Sequence, residues 1–288
     1  MQDSQELLLR LDRRGEPLSK GQKRIADYIA RHYDKAVSMT AGTLGRACDV
    51  SESTVVRFAY AMGYDGYPEM QAALRSLVRQ RLTAEQRFAL ATAIDPDHLM
   101  TTVLRNDMQN IRKTVEALSR EAFERAVDAI TRARRIYITG MRSAAPLAQF
   151  MYHYLHQIHE DVLLAGNATV DACEEVERIT REDVLIGISF PRYSSRTLEC
   201  MRLAREGGAT VIGITDGEMS PLKDASHICL CAATDMAGFV DSLAAPLSLI
   251  NALVLATGLS RSEALTEHFK RLEGIWDAHS VYTDKAEE

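Results

Sequence analysis

From Arg135 onward the chain alternates short apolar runs with stretches of helical periodicity, and no other feature restricts its fold as much. The runs fall at 135–139, 162–164, 184–190, 210–215 and 228–231, each predicted to be a strand, with helices between them and a long apolar helix over 242–257. Strands joined through helices return to the same end of a sheet and pair in parallel, so the expected architecture is a parallel sheet flanked by helices. In such sheets ligands gather at the carboxyl ends of strands, where loops meet the free N–H groups of helix N-termini.

Two loops at those ends carry anion chemistry. The first reads Thr139-Gly140-Met141-Arg142-Ser143-Ala144, and the second reads Ser189-Phe190-Pro191-Arg192-Tyr193-Ser194-Ser195-Arg196-Thr197. Hydroxyl donors, guanidinium forks and helix-start N–H groups are what hold a phosphate or a carboxylate. The candidate effector-binding residues are therefore Gly140, Arg142, Ser143, Ser189, Arg192, Ser194, Ser195 and Thr197.

Ahead of Arg135 the pattern is helical. Ser19 caps a first helix whose Ile25, Ala26, Tyr28 and Ile29 share a face, and a short second helix over 41–48 turns Leu44 and Ala47 inward. Asp49-Val50-Ser51 breaks it, and a third helix over 52–62 starts behind Ser51. Val55, Phe58, Ala59 and Met62 recur at helical spacing and face a core, which leaves Ser53, Thr54, Arg57, Tyr60 and Ala61 outward. Two short helices joined by a tight turn, the second presenting polar side chains, are the geometry that sets a helix end in the major groove. The candidate DNA-binding residues are Ser51, Ser53, Thr54, Arg57 and Tyr60. Gly63 to Pro68 ends the third helix, and another is expected over 69–81. Between residues 80 and 135 the composition stays helical, with Asp95-Pro96-Asp97 as the sharp break and expected hinge. Leu99, Val103, Met108, Ile111, Val115 and Leu118 form an apolar stripe that either covers the next domain or pairs with another subunit.

The run S-E-S-T-V-V-R-F-A-Y-A-M-G-Y-D-G-Y-P-E-M-Q-A-A-L, residues 51–74, resembles the signature of the RpiR family of bacterial regulators in the spacing of Ser51, Thr54, Val55, Arg57, Phe58, Gly63 and Gly66. Residues 23–28 fit as well. The resemblance implies a helix-turn-helix head with 52–62 as recognition helix, followed over roughly 135–259 by a sugar-isomerase (SIS) fold that takes a phosphosugar. The loops depart from the family pattern. Where Ser-x-Ser-Gly-x-Thr is usual, Ser189 is kept, but Pro191, Arg192 and Ser194 replace the second serine, the glycine and the threonine; where Gly-x-Gly-x-Ser is usual, Gly140 is followed by Arg142 and Ala144. Pro191 supplies neither a hydroxyl nor an N–H. Arg142 and Arg192, one per loop, compensate if they turn inward, and a bidentate arginine suits a carboxylate as well as a phosphate.

Charge and cysteine usage agree with such a division. Residues 1–80 hold 12 Lys/Arg against 10 Asp/Glu, whereas the rest holds 22 against 30, so only the head is drawn to phosphates. Cys48, Cys173, Cys200, Cys229 and Cys231 are an odd, scattered set that suits reduced, packed thiols in the cytoplasm. No run approaches the roughly 18 apolar residues of a membrane span. His153, His156 and His159 drift round a helix and make a poor metal site.

The expected molecule has an N-terminal all-α helix-turn-helix domain over 1–80, a helical linker over 81–134 and a C-terminal α/β SIS-type effector-binding domain over 135–288. It is a transcriptional regulator whose partners are a double-stranded DNA operator, a small anionic metabolite (phosphosugar or sugar acid) and a second copy of the chain, with no catalytic residue, cofactor or metal. The alternative is an SIS-type isomerase, for which Asp171, Glu174, Glu175 and His227 are the candidate acid–base groups.

Overall fold

The computed structural model describes residues 18–37, 39–71, 73–74, 83–92, 94–166, 170–217 and 220–282. The chain divides into two compact units between Thr83 and Ala84.

In the first unit, α1 (Lys20–Arg31) begins at Ser19 with a reciprocal cap: Gln22 N–H donates to Ser19 Oγ at 3.3 Å, and Ser19 N–H donates to Gln22 Oε1 at 2.9 Å. Thr40 caps α2 (Ala41–Ala47) and Ser51 caps α3 (Glu52–Ala61), each through its hydroxyl. Ile25, Ile29, Leu44, Val55, Phe58 and Ala59 form the shared core. Ala47 is exposed rather than inward, and Cys48 is buried in its place. Four residues, not three, bring the chain closer to Leu44's own side of the helix. The turn between α2 and α3 is tight: Asp49 lies at φ +52°, and a Cβ on Gly45 would stand 2.8 Å from the Val50 carbonyl oxygen. The backbone is helical again over 67–71 and 73–74, two residues earlier than the sequence suggests, while 75–81 of that helix lie outside the described residues. Tyr67 Oη and Gln71 Nε2 both donate to the Met39 carbonyl at 2.6 Å, tying this segment under the head.

The second unit opens with α4 (Ala84–Thr92), a 3₁₀ turn at Pro96–His98, α5 (Leu99–Ala117) and α6 (Arg120–Arg132). Asp95 caps the 3₁₀ turn by accepting from Asp97 N–H at 3.0 Å. There follow β1 (Ile136–Gly140), α7 (Ala145–Ile158), β2 (Val162–Ala165), α8 (Ala172–Val176), β3 (Val184–Ile188), α9 (Ser195–Glu206), β4 (Thr210–Thr215), α10 (Pro221–Ala225), β5 (Ile228–Cys231), α11 (Ala244–Leu259) and α12 (Ser262–Ala278). The five strands pair in parallel in the order β2-β1-β3-β4-β5, in registers such as Ile138 opposite Ile186 and Ile186 opposite Ile212. Side chains alternate between two apolar layers. Ile136, Ile138, Ile186 and Ile212 pack with Ile130, Met151, Leu155 and Ile250 of α6, α7 and α11, while Tyr137, Leu185 and Val211 pack with Val176, Met201 and Leu222 of α8, α9 and α10.

One face differs from the amphipathic reading. Leu99, Val103, Met108, Ile111 and Val115 of α5 are between 37% and 73% exposed, so they do not cover the unit they belong to. The polar side of α5 docks instead, because the segment between β5 and α11 has backbone groups to satisfy. Asn106 and Asn110 donate to the Asp235 carbonyl at 2.5 and 2.8 Å, Lys113 pairs with the Asp235 carboxylate at 2.6 Å, and Ala233 N–H donates to Thr114 Oγ1 at 2.9 Å. Ser242 Oγ donates to Asp107 at 2.6 Å.

Candidate functional site

The strand order reverses between β1 and β3: the chain leaves β1 toward β2 on one side and leaves β3 toward β4 on the other. The two outgoing loops therefore diverge at their carboxyl ends and leave a crevice, which is where ligands sit in open parallel sheets. A cavity of about 170 Å³ is found there, lined from the first loop by Arg142 and Ser143 and from the second by Ser189, Pro191, Arg192 and Ser194.

The second loop is braced from within. Ser189 N–H donates to the Ile214 carbonyl at 3.1 Å, its Oγ accepts from Ser194 N–H at 3.0 Å, and Ser194 Oγ caps α9 by accepting from Thr197 N–H at 3.3 Å. Ser189 keeps its own hydroxyl proton for a further acceptor. At the first loop, a 3₁₀ turn (Arg142–Ala144) runs directly into α7: Ala144 N–H donates to the Met141 carbonyl at 3.1 Å, Ala145 N–H donates to the Arg142 carbonyl, and Pro146 has no N–H.

Arg142 and Arg192 take the same unusual backbone. Their φ angles are +57° and +58°, the left-handed region that suits glycine, and each occupies a position where the usual loop pattern has one. Both side chains are exposed at the cavity, and no hydrogen bond or ion pair holds either guanidinium among the described residues. Three other candidates stand apart. Thr197 is fully buried with its Oγ1 unpartnered among the described residues, Ser195 is exposed and not part of the cavity lining, and Gly140 is needed where α7 passes close: a Cβ there would meet the Ala144 carbonyl at 3.0 Å and Ala148 Cβ at 3.1 Å.

Two lining residues were not legible beforehand, Arg87 of α4 and Asp241 before α11. They form an ion pair at 2.9 Å with side chains only 7% and 18% exposed, and Arg87 also donates to the Pro191 carbonyl at 3.3 Å.

The candidate acid–base residues lie elsewhere. Asp171 caps α8 and pairs with Arg196; the Cys173 N–H and that guanidinium hold its carboxyl below the usual carboxylate range. Glu175 accepts from Gly166 N–H at 2.6 Å. His227 Nδ1 accepts from Val211 N–H at 3.0 Å, and burial, with Arg205 nearby, lowers the pKa of its ring. His159 is buried with Nε2 against the Ala133 carbonyl at 2.9 Å. A larger cavity, about 400 Å³, is lined by His156, Arg261, His268 and Arg271, at the C-terminal end of α7 rather than at strand ends. Among the described residues no three His, Cys, Asp or Glu side chains converge as a metal site would require, and no helix is long and apolar enough to cross a membrane.

In the first unit, α3 presents its N-terminal edge. Ser51 Oγ lies 2.9 Å from Ser53 Oγ and 2.8 Å from Thr54 Oγ1, a hydroxyl cluster built on the cap. Ser51, Ser53, Arg57 and Tyr60 are exposed; Thr54 is half-buried, its methyl side toward Gly21 of α1. Arg57 Nε donates to the Ser53 carbonyl at 3.3 Å, leaving its terminal nitrogens outward. Arg46 and Thr43 of α2, hydrogen-bonded to each other at 3.1 Å, add a cation that the sequence reading passed over.

Comparison with known proteins adds three findings. Residues 5–81 match the helix-turn-helix domain of the rpiR family, and residues 129–256 match the SIS domain. The HTH-type transcriptional regulator HexR of Pseudomonas aeruginosa is 27% identical over 275 residues, 93% of this chain and 94% of HexR. Among solved structures, the Vibrio vulnificus NanR protein complexed with ManNAc-6P superposes with a TM-score of 0.59 at 22% identity, covering 94% of this chain and 98% of that one. The sugar isomerase domain of an RpiR transcription factor from Sphaerobacter thermophilus gives 0.59 at 26% identity, covering 61% and 98%.

Proposed function

We propose that this chain, which belongs to the rpiR family through its helix-turn-helix domain and carries an SIS domain behind it, binds duplex DNA through α3 and adjusts that binding to a small anion held at the switch point of its sheet. The observation that carries the reading is the pair of left-handed arginines, Arg142 and Arg192, at the mouth of one cavity. A backbone in a costly conformation, with a cation that nothing among the described residues neutralises, suits a place where a ligand needs it. Ser189 and Ser143 supply hydroxyl donors around the same anion.

Sugar phosphates are the first class of effector to test, since NanR of V. vulnificus is described with ManNAc-6P; sugar acids are the second, because paired guanidinium groups accept carboxylates equally well. The role is regulatory rather than catalytic. Asp241 is the one carboxylate among the described cavity-lining residues, and Arg87 pairs with it at 2.9 Å.

The assembly proposed is a cytoplasmic dimer. α11 is apolar over most of its surface, and Leu247, Leu255 and Leu259 are exposed beside Ser248 and Asn251, as is the stripe on α5. A second copy covers those leucines and sets two heads for a two-fold operator.

Thermal unfolding of the full chain with glucose 6-phosphate, ManNAc-6P and gluconate tests the effector reading. Binding to the folded state raises Tm, by about 2.7 kcal/mol of stability at a hundred times Kd. If neither phosphate nor carboxylate compounds raise Tm at any concentration, the cavity is not an effector site.

A further inference from the structure

Arg87 stands where an effector anion would meet it. It lies in α4, the helix by which the chain enters the second unit, four residues past the division at Thr83. Its side chain is 7% exposed and reaches the cavity wall, where it donates to Asp241 at 2.9 Å and to the Pro191 carbonyl at 3.3 Å. Pro191 belongs to the same loop as Arg192, and Asp241 to the segment that α5 clasps. α4 touches that segment twice more: Phe88 and Phe239 have ring centroids 5.7 Å apart, and a Cβ on Gly238 would stand 3.0 Å from that of Ala91.

A half-buried carboxylate on a cavity-lining guanidinium does two things to an incoming anion. It occupies the donors that the anion would use, and it repels the anion's charge across a medium that screens poorly. Of the four charged side chains among the described cavity-lining residues, three are arginines and the fourth is this carboxylate.

We propose that Arg87 is a third anion-binding arginine of the effector site, and that the incoming phosphate or carboxylate takes its guanidinium from Asp241. The exchange breaks the polar tie between α4 and the segment before α11. Because α4 follows directly on the head in sequence, its release is the step that carries occupancy toward the DNA-binding unit. The inference rests on the effector reading of this cavity and goes beyond it in naming the residue that exchanges partners.

Calorimetric titration of the full chain with inorganic phosphate, glucose 6-phosphate and gluconate tests it, using Asp241→Asn, Arg87→Lys, Arg87→Ala and the double variant Arg87→Ala/Asp241→Asn. Asp241→Asn removes the competing charge while keeping a side chain of the same shape, and affinity for whichever class binds the wild type rises about tenfold. Arg87→Ala lowers affinity by at least as much, Arg87→Lys falls between, and in the Arg87→Ala background Asp241→Asn gives a much smaller gain. Hydrogen exchange of the backbone amides of residues 84–92 increases with ligand in the wild type and without ligand in Asp241→Asn. If wild type and all folded variants bind glucose 6-phosphate or gluconate equally, the ion pair is structural only and the exchange is overturned while the effector site stands. If none of the three probes binds the wild type, the effector reading fails and the exchange fails with it.

Discussion

Arg142 and Arg192 hold left-handed backbones at a cost of about 1 kcal/mol each relative to ordinary conformations. Glycine removes that strain, though it also loosens the unfolded chain; valine aggravates it. Arg192→Gly is therefore expected to keep Tm within a few degrees of the parent while anion affinity falls, and Arg192→Val to lose both. Equal destabilisation by the two, measured by thermal unfolding, would contradict the assigned strain. Asp183 illustrates the opposite case, a residue committed wholly to the fold. It is buried at the start of β3 and accepts from Arg134 Nε and Nη2 at 2.9 and 2.8 Å and from Thr180 N–H and Oγ1 at 2.8 and 2.9 Å. Burial pushes its carboxyl up, but Arg134 and the Thr180 donors outweigh burial and leave it below the usual carboxylate range. The native state thus keeps this group charged to lower pH than the unfolded chain does. Its contribution is complete above about pH 4 and is lost as pH falls through the lowered folded value. Asp183→Asn should cost about 2 kcal/mol at neutral pH. In urea titrations the gap between variant and parent should close as pH falls below 4; a gap independent of pH would sink the assignment.

At the scale of elements, the turn between α2 and α3 fixes the angle of α3, the helix proposed to face DNA. A Cβ on Gly45 would press on the Val50 carbonyl, which is backbone and cannot swing aside. Gly45→Ala is expected to cost about 2–3 kcal/mol in the first unit and to abolish DNA binding, with the second unit's unfolding unchanged. Gly274 in α12 has open space around its Cβ position, so Gly274→Ala should be neutral or stabilising by up to about 1 kcal/mol. Similar losses from the two substitutions, read by circular dichroism and hydrogen exchange, would remove the steric account. These elements were legible because they rest on local chemistry. Ser19, Thr40 and Ser51 announce helix starts in any context, and the runs 210–215 and 228–231 coincide with β4 and β5 because Val211, Ile212 and Ile214 are buried on both faces of β4 and Ile228 and Leu230 on one face of β5. The docking face of α5 was not legible. Periodicity shows which side of a helix is apolar, whereas Asn110 and Thr114 are buried because a segment more than a hundred residues away needs their hydrogen bonds.

For the molecule as a whole, the two loops could be read as an anion site because hydroxyls and arginines cluster next to predicted strand ends. Five of the eight proposed residues line one cavity, namely Arg142, Ser143, Ser189, Arg192 and Ser194. Arg87 and Asp241 stayed hidden, since their meeting joins positions 154 residues apart and no local pattern marks either. The central claim is that the head reads DNA and the cavity sets how tightly. Its most direct test is selection of bound fragments from genomic DNA by the full-length protein, followed by fluorescence anisotropy on the selected site across a titration of the compound that raises Tm most. The account predicts enrichment of a two-fold related sequence, affinity that falls steeply with salt, weakening by Arg57→Ala, and a change of fivefold or more, about 1 kcal/mol, at saturating ligand. Absence of any enriched sequence, or an operator affinity identical with and without saturating ligand, would contradict it.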